Sequence, residues 1–378
     1  MVSTIYWTET NIPRSARWHS ESATPPPRRV ISADDRLKAD TAYRLACEGT
    51  ALLWRGDFPN ARQLLRAMSR RIDRKPPRQA DSPAESFHLH RRARGHRARV
   101  LGRLVVLLED DYCLNLRRAP DVRRACTEAY GPPSEPTAVS LTELLGVLGA
   151  HQWRTKGVEV PALGARIHPH YGVFSPIRGE YVDLVAHAPL PAPAEHRAGP
   201  RTAFDLGTGT GVLAAVLAHR GIDHIVATDI SVRALACARE NVRRLRFTGR
   251  IDIVGPDLFP DGRAHLVVCN PPWIPARPTS ALEQGVYDPG STMLRSFLAG
   301  LATHLEPGGE GWLILSDLAE RLGLRTRGEL LAGIEAAGLR VVDRTDTKPR
   351  HPRARDTADP LHTARAAEVT SLWRLAGD

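Results

Sequence analysis

The sequence predicts an α/β fold built on a doubly wound, mostly parallel sheet, and three stretches carry that prediction. Ala203 and Phe204 end an extended segment that runs through Asp205, Gly207, Gly209 and Gly211 into the helical run Val212 to Ala218. Ile225-Val-Ala-Thr228 is a second apolar run, closed by Asp229. His265-Leu-Val-Val-Cys269 is a third, closed by Asn270-Pro271-Pro272-Trp273. A parallel strand buried on both faces needs such short, near-continuous apolar runs. Ligands of these sheets bind outside the carboxyl ends of the strands, which is where the glycines and polar residues stand.

Glycines at 207, 209 and 211 lack the Cβ atoms that keep a ligand off the backbone, and they permit positive φ. Amides at the start of the following helix then face an anionic or polar group. A dinucleotide fingerprint needs its third glycine one residue later, a position held by Val212. The pattern D-x-G-x-G-x-G from Asp205 resembles instead the first motif of class I S-adenosylmethionine (SAM) methyltransferases. That resemblance implies SAM as cofactor and S-adenosylhomocysteine as product. It sets Asp205 beside the cofactor's amino group, Asp229 on the ribose hydroxyls and Asp257 near the adenine amino group. The cofactor-binding residues it implies are Asp205, Gly207, Thr208, Gly209, Gly211, Asp229, Ile230, Asp257, Leu258 and Asn270.

Two prolines after Asn270 halt strand pairing and hold the chain extended. The Asn270 side-chain oxygen and the Pro271 carbonyl are then two acceptors able to hold one NH2 group, and the Trp273 ring can cover a planar substrate. Asn270 to Trp273 resembles the (N/D)-P-P-(Y/F/W) motif of methyltransferases that act on planar nitrogens, side-chain amides and exocyclic base amines. Asn270, Pro271 and Trp273 are therefore the candidate catalytic residues. The resemblance runs from about Gly172 to Leu375 and implies a seven-stranded Rossmann-like sheet whose last strand is reversed.

With 378 residues the chain should hold two domains. Its five cysteines contain no CxxC pair, which fits a reducing cytosol and neither a disulfide framework nor a zinc site. No apolar run reaches the ~18 residues of a membrane span, and the expected location is cytoplasmic. The formal charge is +10. Residues 1–200 carry 30 Lys and Arg against 21 Asp and Glu, so the excess lies in that half. Arginine-rich composition alone is weak evidence for a nucleic-acid partner.

Residues 1–33, with Pro25-Pro-Pro27 and no apolar period, read as disordered. A mainly helical N-terminal domain is expected over 34–155, opening with a helical hairpin, Ala42 to Trp54 and Ala61 to Ile72, turned at Gly56-Asp-Phe-Pro59. Lys75 to Glu85 reads as a linker. His88 to Arg99 is the densest basic run, either a phosphate-binding patch or a solvated helix face. Leu101 to Leu116 is compatible with helix or strand, and Asp121 to Tyr130 and Leu141 to Trp153 read as helices.

Residues 156–200 form a hairpin (Val158 to Val160, Ala165 to Ile167), a helix from Gly179 and a proline-rich linker, and the methyltransferase domain follows at 201–378. Gly172-Val-Phe-Ser175 is similar to the segment entering the catalytic domain of ribosomal RNA guanine-N2 methyltransferases. Ser175-Pro-Ile-Arg-Gly-Glu180 falls where glutamine-N5 methyltransferases carry a proline-, arginine- and glutamate-containing segment, with different spacing here. Tyr171, Phe174, Arg178, Pro272, Trp273 and Tyr287 are the candidate substrate-binding residues. His168 and His170 lack a carboxylate or cysteine to complete a metal set, and no metal is expected. Glu329 to Ala337 is the last helix, Leu339 to Arg344 and Thr370 to Leu375 the terminal strand pair, and 348–365 a mobile basic loop. The function expected is transfer of a methyl group to an amide-type nitrogen, on a protein glutamine or a specialised metabolite. The alternative is a nucleic-acid amine, guanine-N2 or adenine-N6 of ribosomal RNA, served by the basic N-terminal half.

Overall fold

A computed structural model describes residues 3–74, 80–191, 200–280, 282–350 and 355–377. The chain divides into two compact units, Met1–Asp81 with Glu85–Gln152, and Ser82–Ala84 with Trp153–Asp378.

In the first unit the elements are β1 (Thr4–Glu9), β2 (Ile12–Trp18), β3 (Val30–Ala33), α1 (Ala39–Cys47), β4 (Ala51–Trp54), α2 (Phe58–Asp73), α3 (Pro83–Leu101), β5 (Leu104–Leu108), α4 (Arg123–Tyr130), β6 (Thr137–Ser140) and α5 (Leu141–Lys156). The strands form one mixed sheet in the order β1-β2-β6-β5-β4-β3. β3, β4 and β5 run parallel, and β1–β2 and β5–β6 are antiparallel.

This corrects two expectations. Residues 3–33 are not disordered: Ile5, Trp7, Ala16 and Trp18 are buried and pack with Leu53, Val105 and Ala138. The segment reads as polar because β2 exposes its first four residues and buries only its end. Nor is the unit mainly helical. The expected first helix stops at Cys47, and Ala51-Leu-Leu-Trp54, buried at all four positions, is a strand. Over four residues an apolar run carries no period that separates helix from strand. Leu104–Leu108 resolves as strand. Residues 75–79 of the expected linker lie outside the described residues.

The second unit contains β7 (Val158–Val160) and β8 (Ala165–Ile167), an antiparallel pair, then α6 (Glu180–His187), β9 (Thr202–Leu206), α7 (Val212–His219), β10 (His224–Thr228), α8 (Val232–Arg244), β11 (Ile251–Val254), β12 (Ala264–Cys269), α9 (Thr292–His304), β13 (Leu305–Ser316), α10 (Leu318–Arg321), α11 (Arg327–Ala336), β14 (Leu339–Thr347), α12 (His362–Ala366) and β15 (Thr370–Gly377). Its seven strands are ordered β11-β10-β9-β12-β13-β15-β14. β11 to β13 are parallel to one another along that order, and β15 runs antiparallel to both neighbours. Period-two alternation feeds two cores. Ala203, Leu266 and Val268 pack with α6 and α7, while Phe204, Val267 and Cys269 pack with α9 and α11. Helices thus cover both faces, and a strand so enclosed must be apolar along its whole length. Residues 192–199 and 351–354 of the expected linker and loop lie outside the described residues, and α12 stands in the part of that loop that is described. Among the described residues no helix is long and apolar enough to cross a membrane.

Ile5 is 1% exposed within the first core. Ile5→Ala should therefore cost about 2–5 kcal/mol, measured as a lower urea midpoint for the first unit's transition. An unchanged midpoint would show that β1 contributes nothing to that core.

Candidate active site

The site is assembled at the carboxyl ends of β9, β10 and β12, beginning with a turn held from below. Gly207 and Gly211 adopt φ of +71° and +80°, which a side chain rarely permits. A Cβ at 207 would stand 2.5 Å from Met293 Cε. Asp205 ends β9 at 1% exposure. Its Oδ2 accepts hydrogen bonds from Thr208 Oγ1 at 2.6 Å and the Ala214 amide at 2.9 Å, tying the loop and the first turn of α7 to one carboxylate.

Asp229, just past β10, accepts from the Gly209 amide at 3.0 Å through Oδ2 and from the Ser231 amide at 2.8 Å through Oδ1. The Thr208 amide donates to the Thr228 carbonyl at 2.8 Å, and Thr228 Oγ1 donates to the Leu258 carbonyl at 2.6 Å. The glycine turn, Asp229 and the Asp257-Leu258 segment are thereby fixed to one another. Burial pushes the Asp205 carboxyl up to about 6, with the nearby Asp229 charge adding to the shift. Burial raises Asp229 as well.

Above this floor lies a cavity of about 400 Å³. Of the sequence-predicted residues it is lined by Phe174, Gly207, Thr208, Gly209, Asp229, Ile230, Asp257, Leu258, Asn270 and Pro272. Asp205 and Gly211 support the wall from behind. Pro271, Tyr171, Arg178, Trp273 and Tyr287 are not part of the lining. Tyr171 has Arg233 over its ring at 5.5 Å, and Tyr287 is buried beside Ile274. Tyr181, Gln284, Gly285, Thr292, Met293 and Ser296 also line it and were not among the candidates, whereas the loop after Trp273 that carries Asp288 was expected to meet the substrate. The Asp288 carboxylate accepts from the Met293 and Leu294 amides at 3.1 and 3.2 Å.

Trp273 and Arg178 do something other than meet the cavity. The Trp273 indole Nε1–H donates to Asn270 Oδ1 at 2.9 Å, and the Arg178 guanidinium lies 5.0 Å from the centre of the Trp273 ring. Arg178 in turn pairs with Glu180 at 2.8 Å and Glu368 at 3.0 Å, both 2% exposed, and Ser316 Oγ donates to Glu368 at 2.7 Å. An arginine so committed is a strut for the site. Near the entry segment His170 pairs with Glu240 at 2.7 Å, beside Arg154. Among the described residues no group of His, Cys, Asp and Glu is arranged to hold a metal ion.

Residues 164–321 match the family described as Methyltransferase small domain. That segment is thus similar to a methyltransferase domain. A release factor glutamine methyltransferase of Cereibacter sphaeroides is 37% identical over 154 residues, 36% of this chain and 52% of that protein. A ribosomal protein L11 methyltransferase of Pelotomaculum thermopropionicum is 33% identical over 147 residues, 38% of this chain and 40% of the other. A ribosomal RNA small subunit methyltransferase C of Alcanivorax borkumensis is 33% identical over 128 residues, 33% of this chain and 35% of the other. The chain spans about half the length, or less, of the curated relatives it matches. Their names span three different acceptors, so the methyltransferase domain is common ground and the acceptor is not.

The Asp205 carboxyl, at about 6 in the fold, titrates near 4 in an unfolded chain. Between those values the native state binds more protons than the unfolded one, so stability falls as pH rises through that window. Asp205→Asn keeps an acceptor for Thr208 and Ala214 and removes the titration. Its loss of stability between pH 4 and 6 should be smaller than that of the unsubstituted protein, by urea unfolding at each pH. Identical slopes would place the raised carboxyl elsewhere.

Proposed function

We propose that the second unit transfers a methyl group from SAM to the side-chain amide nitrogen of a glutamine in a protein of the translation machinery. The observation that carries this reading is the Asn270 carboxamide on the cavity wall, at the end of the strand next to the one that leads into the glycine turn, and followed in sequence by Pro271. The residues present fit the cofactor. Gly207 and Gly209, which lack Cβ atoms, would admit the methionine part beside Thr208, the Asp229 carboxylate at a strand end would accept from the ribose hydroxyls, and Asp257 with Leu258 would hold the base. When bound, SAM supplies a methyl group already activated on a sulfonium. Asn270 Oδ1 and the Pro271 carbonyl accept hydrogen bonds from the acceptor NH2 and aim its lone pair into the cavity. The Trp273 indole uses one lone pair of Asn270 Oδ1 and fixes the carboxamide plane, and a carbonyl oxygen retains a second lone pair for the substrate. Positioning of this kind supplies most of the rate.

A nucleic-acid amine is the second reading, and the geometry around Trp273 weighs against it. Splayed bases are gripped by stacking on an aromatic face. Trp273 has Arg178 over its ring and packs against both hydrophobic cores. A small primary amide needs no such platform. Among the relatives' names, release factor glutamine methyltransferase supports a protein amide and ribosomal RNA small subunit methyltransferase C the other reading.

Incubating the full chain with methyl-labelled SAM and cell extract should place label in material sensitive to protease and resistant to ribonuclease. Label confined to RNA or small molecules would overturn the proposed acceptor. Asn270→Ala should lower kcat about a hundredfold or more with SAM affinity unchanged. Lost SAM affinity with normal turnover of the residual complex would contradict the clamp. Trp273→Phe, which removes only the indole donor, should lower kcat by about threefold to tenfold and leave KM for SAM where it was.

A further inference from the structure

The first unit carries a charged surface that the methyl-transfer site does not use. On α2, Phe58, Ala61, Leu64 and Met68 are buried. The opposite face presents Arg62, Arg66 and Arg70, all exposed, with Arg74 at the C-cap continuing the row. Residues four apart climb about 6 Å along a helix, so the row runs for about 18 Å, in steps comparable to the separation of successive phosphates on a strand. The last turns of α3 lie beside it. Arg97 donates to Ser69 and pairs with Asp73 at 2.5 Å. That pairing occupies the one acidic residue of α2 and leaves Arg92 and Arg99 exposed on the rest of α3.

The row differs from helices elsewhere in which an exposed arginine meets a carboxylate four residues away, as in Arg44–Glu48, Arg124–Glu128, Arg244–Glu240 and Arg321–Asp317. Among the described residues no carboxylate pairs with Arg62, Arg66 or Arg70. Like charges four apart repel and weaken a helix, so an unbroken row answers to an external polyanion. A lipid surface needs exposed apolar residues beside the basic ones; on α2 Phe58, Leu64 and Met68 are buried and Leu65 and Ile72 half-buried, so no large apolar side chain there is fully exposed.

We propose that the α2–α3 arginine face docks the protein on the phosphate backbone of RNA. The face itself is independent of the methyl-transfer site. The choice of RNA among polyanions rests on the reading that the acceptor protein belongs to the translation machinery, where RNA surrounds the target. Backbone contacts of this kind orient a partner without reading sequence, which leaves specificity to the second unit.

The test is fluorescence anisotropy of a labelled RNA hairpin with the full chain, titrated at several salt concentrations. The triple variant Arg62→Gln, Arg66→Gln, Arg70→Gln should bind at least about tenfold more weakly near physiological salt, and its slope of log K against log salt should shrink by roughly 2–3. Its circular dichroism and SAM affinity should match the unsubstituted protein. A control triple, Arg28→Gln, Arg29→Gln, Arg36→Gln, exposed elsewhere on the same unit, should bind RNA normally. No RNA binding by the unsubstituted chain, an unchanged triple variant, or equal losses in both triples would overturn the proposal. Equally effective competition by a DNA duplex or by anionic lipid vesicles would overturn the assignment to RNA. Because this readout needs no methyl transfer, its failure is distinguishable from failure of the proposed reaction.

Discussion

One buried carboxylate sets the shape on which the site depends. A glycine turn between a strand and a helix has many conformations open to it, and Asp205 selects one by bonding the loop at Thr208 and the helix at Ala214 through a single oxygen. Asp229 reaches the same turn from the next strand through the Gly209 amide. The price is electrostatic: burial disfavours the charged form of both carboxyls, and the nearby Asp229 charge adds to the shift on Asp205. Asp257 and Asp288 face the same cavity. A cavity with this excess of acid suits a cationic ligand, and a sulfonium with an ammonium group is one.

The second constraint joins parts of the chain that are remote in sequence. Glu368, just before β15, meets Arg178, just before α6, and Arg178 lies over the ring that holds Asn270. Buried ion pairs are poor sources of stability, because desolvation offsets much of the attraction. Their better use is geometric, and here Arg178 cannot leave Glu180 and Glu368 without stranding two buried charges. The plane of the Asn270 carboxamide is thus referred to a rigid base at β13, the start of β15 and the helix before β9.

How much of this was legible in the sequence follows from the range of each interaction. β9, β10 and β12 were readable because helices on both faces force them to be apolar throughout, and because each ends in a residue that a buried strand would not otherwise tolerate. The glycine turn and Asp229 were readable because their partners are adjacent strand ends. β1 and β2 were not: with one face in solvent they present Arg14, Ser15 and Arg17 among their few buried residues. Ala51–Trp54 merged with the helix before it for want of length. Arg178 and Trp273 looked like substrate contacts because a cation and an aromatic near a motif suggest binding. Only the fold reveals that Glu368, 190 residues on, holds the cation. The loop bearing Asp288 was legible as a loop at a strand's carboxyl end, but the contribution of Thr292, Met293 and Ser296 was not, because nothing in the period of α9 marks which turn meets the cavity.

The electronic demands of an amide acceptor agree with what the cavity offers. An amide nitrogen is a weak nucleophile, since its lone pair is shared with the carbonyl, so a catalyst gains little by waiting for it to lose a proton beforehand. It gains by holding the NH2 at one orientation against an electrophile that already carries charge, and on the proposed reading the Asn270 oxygen and the Pro271 carbonyl would do that. Once the methyl has moved, the nitrogen is strongly acidic and its proton departs without a tuned base. Asp288, the acid nearest in kind to a base on this wall, fits that logic, because both its oxygens accept from the first turn of α9. Its carboxylate anchors a helix, and the chemistry is left to geometry.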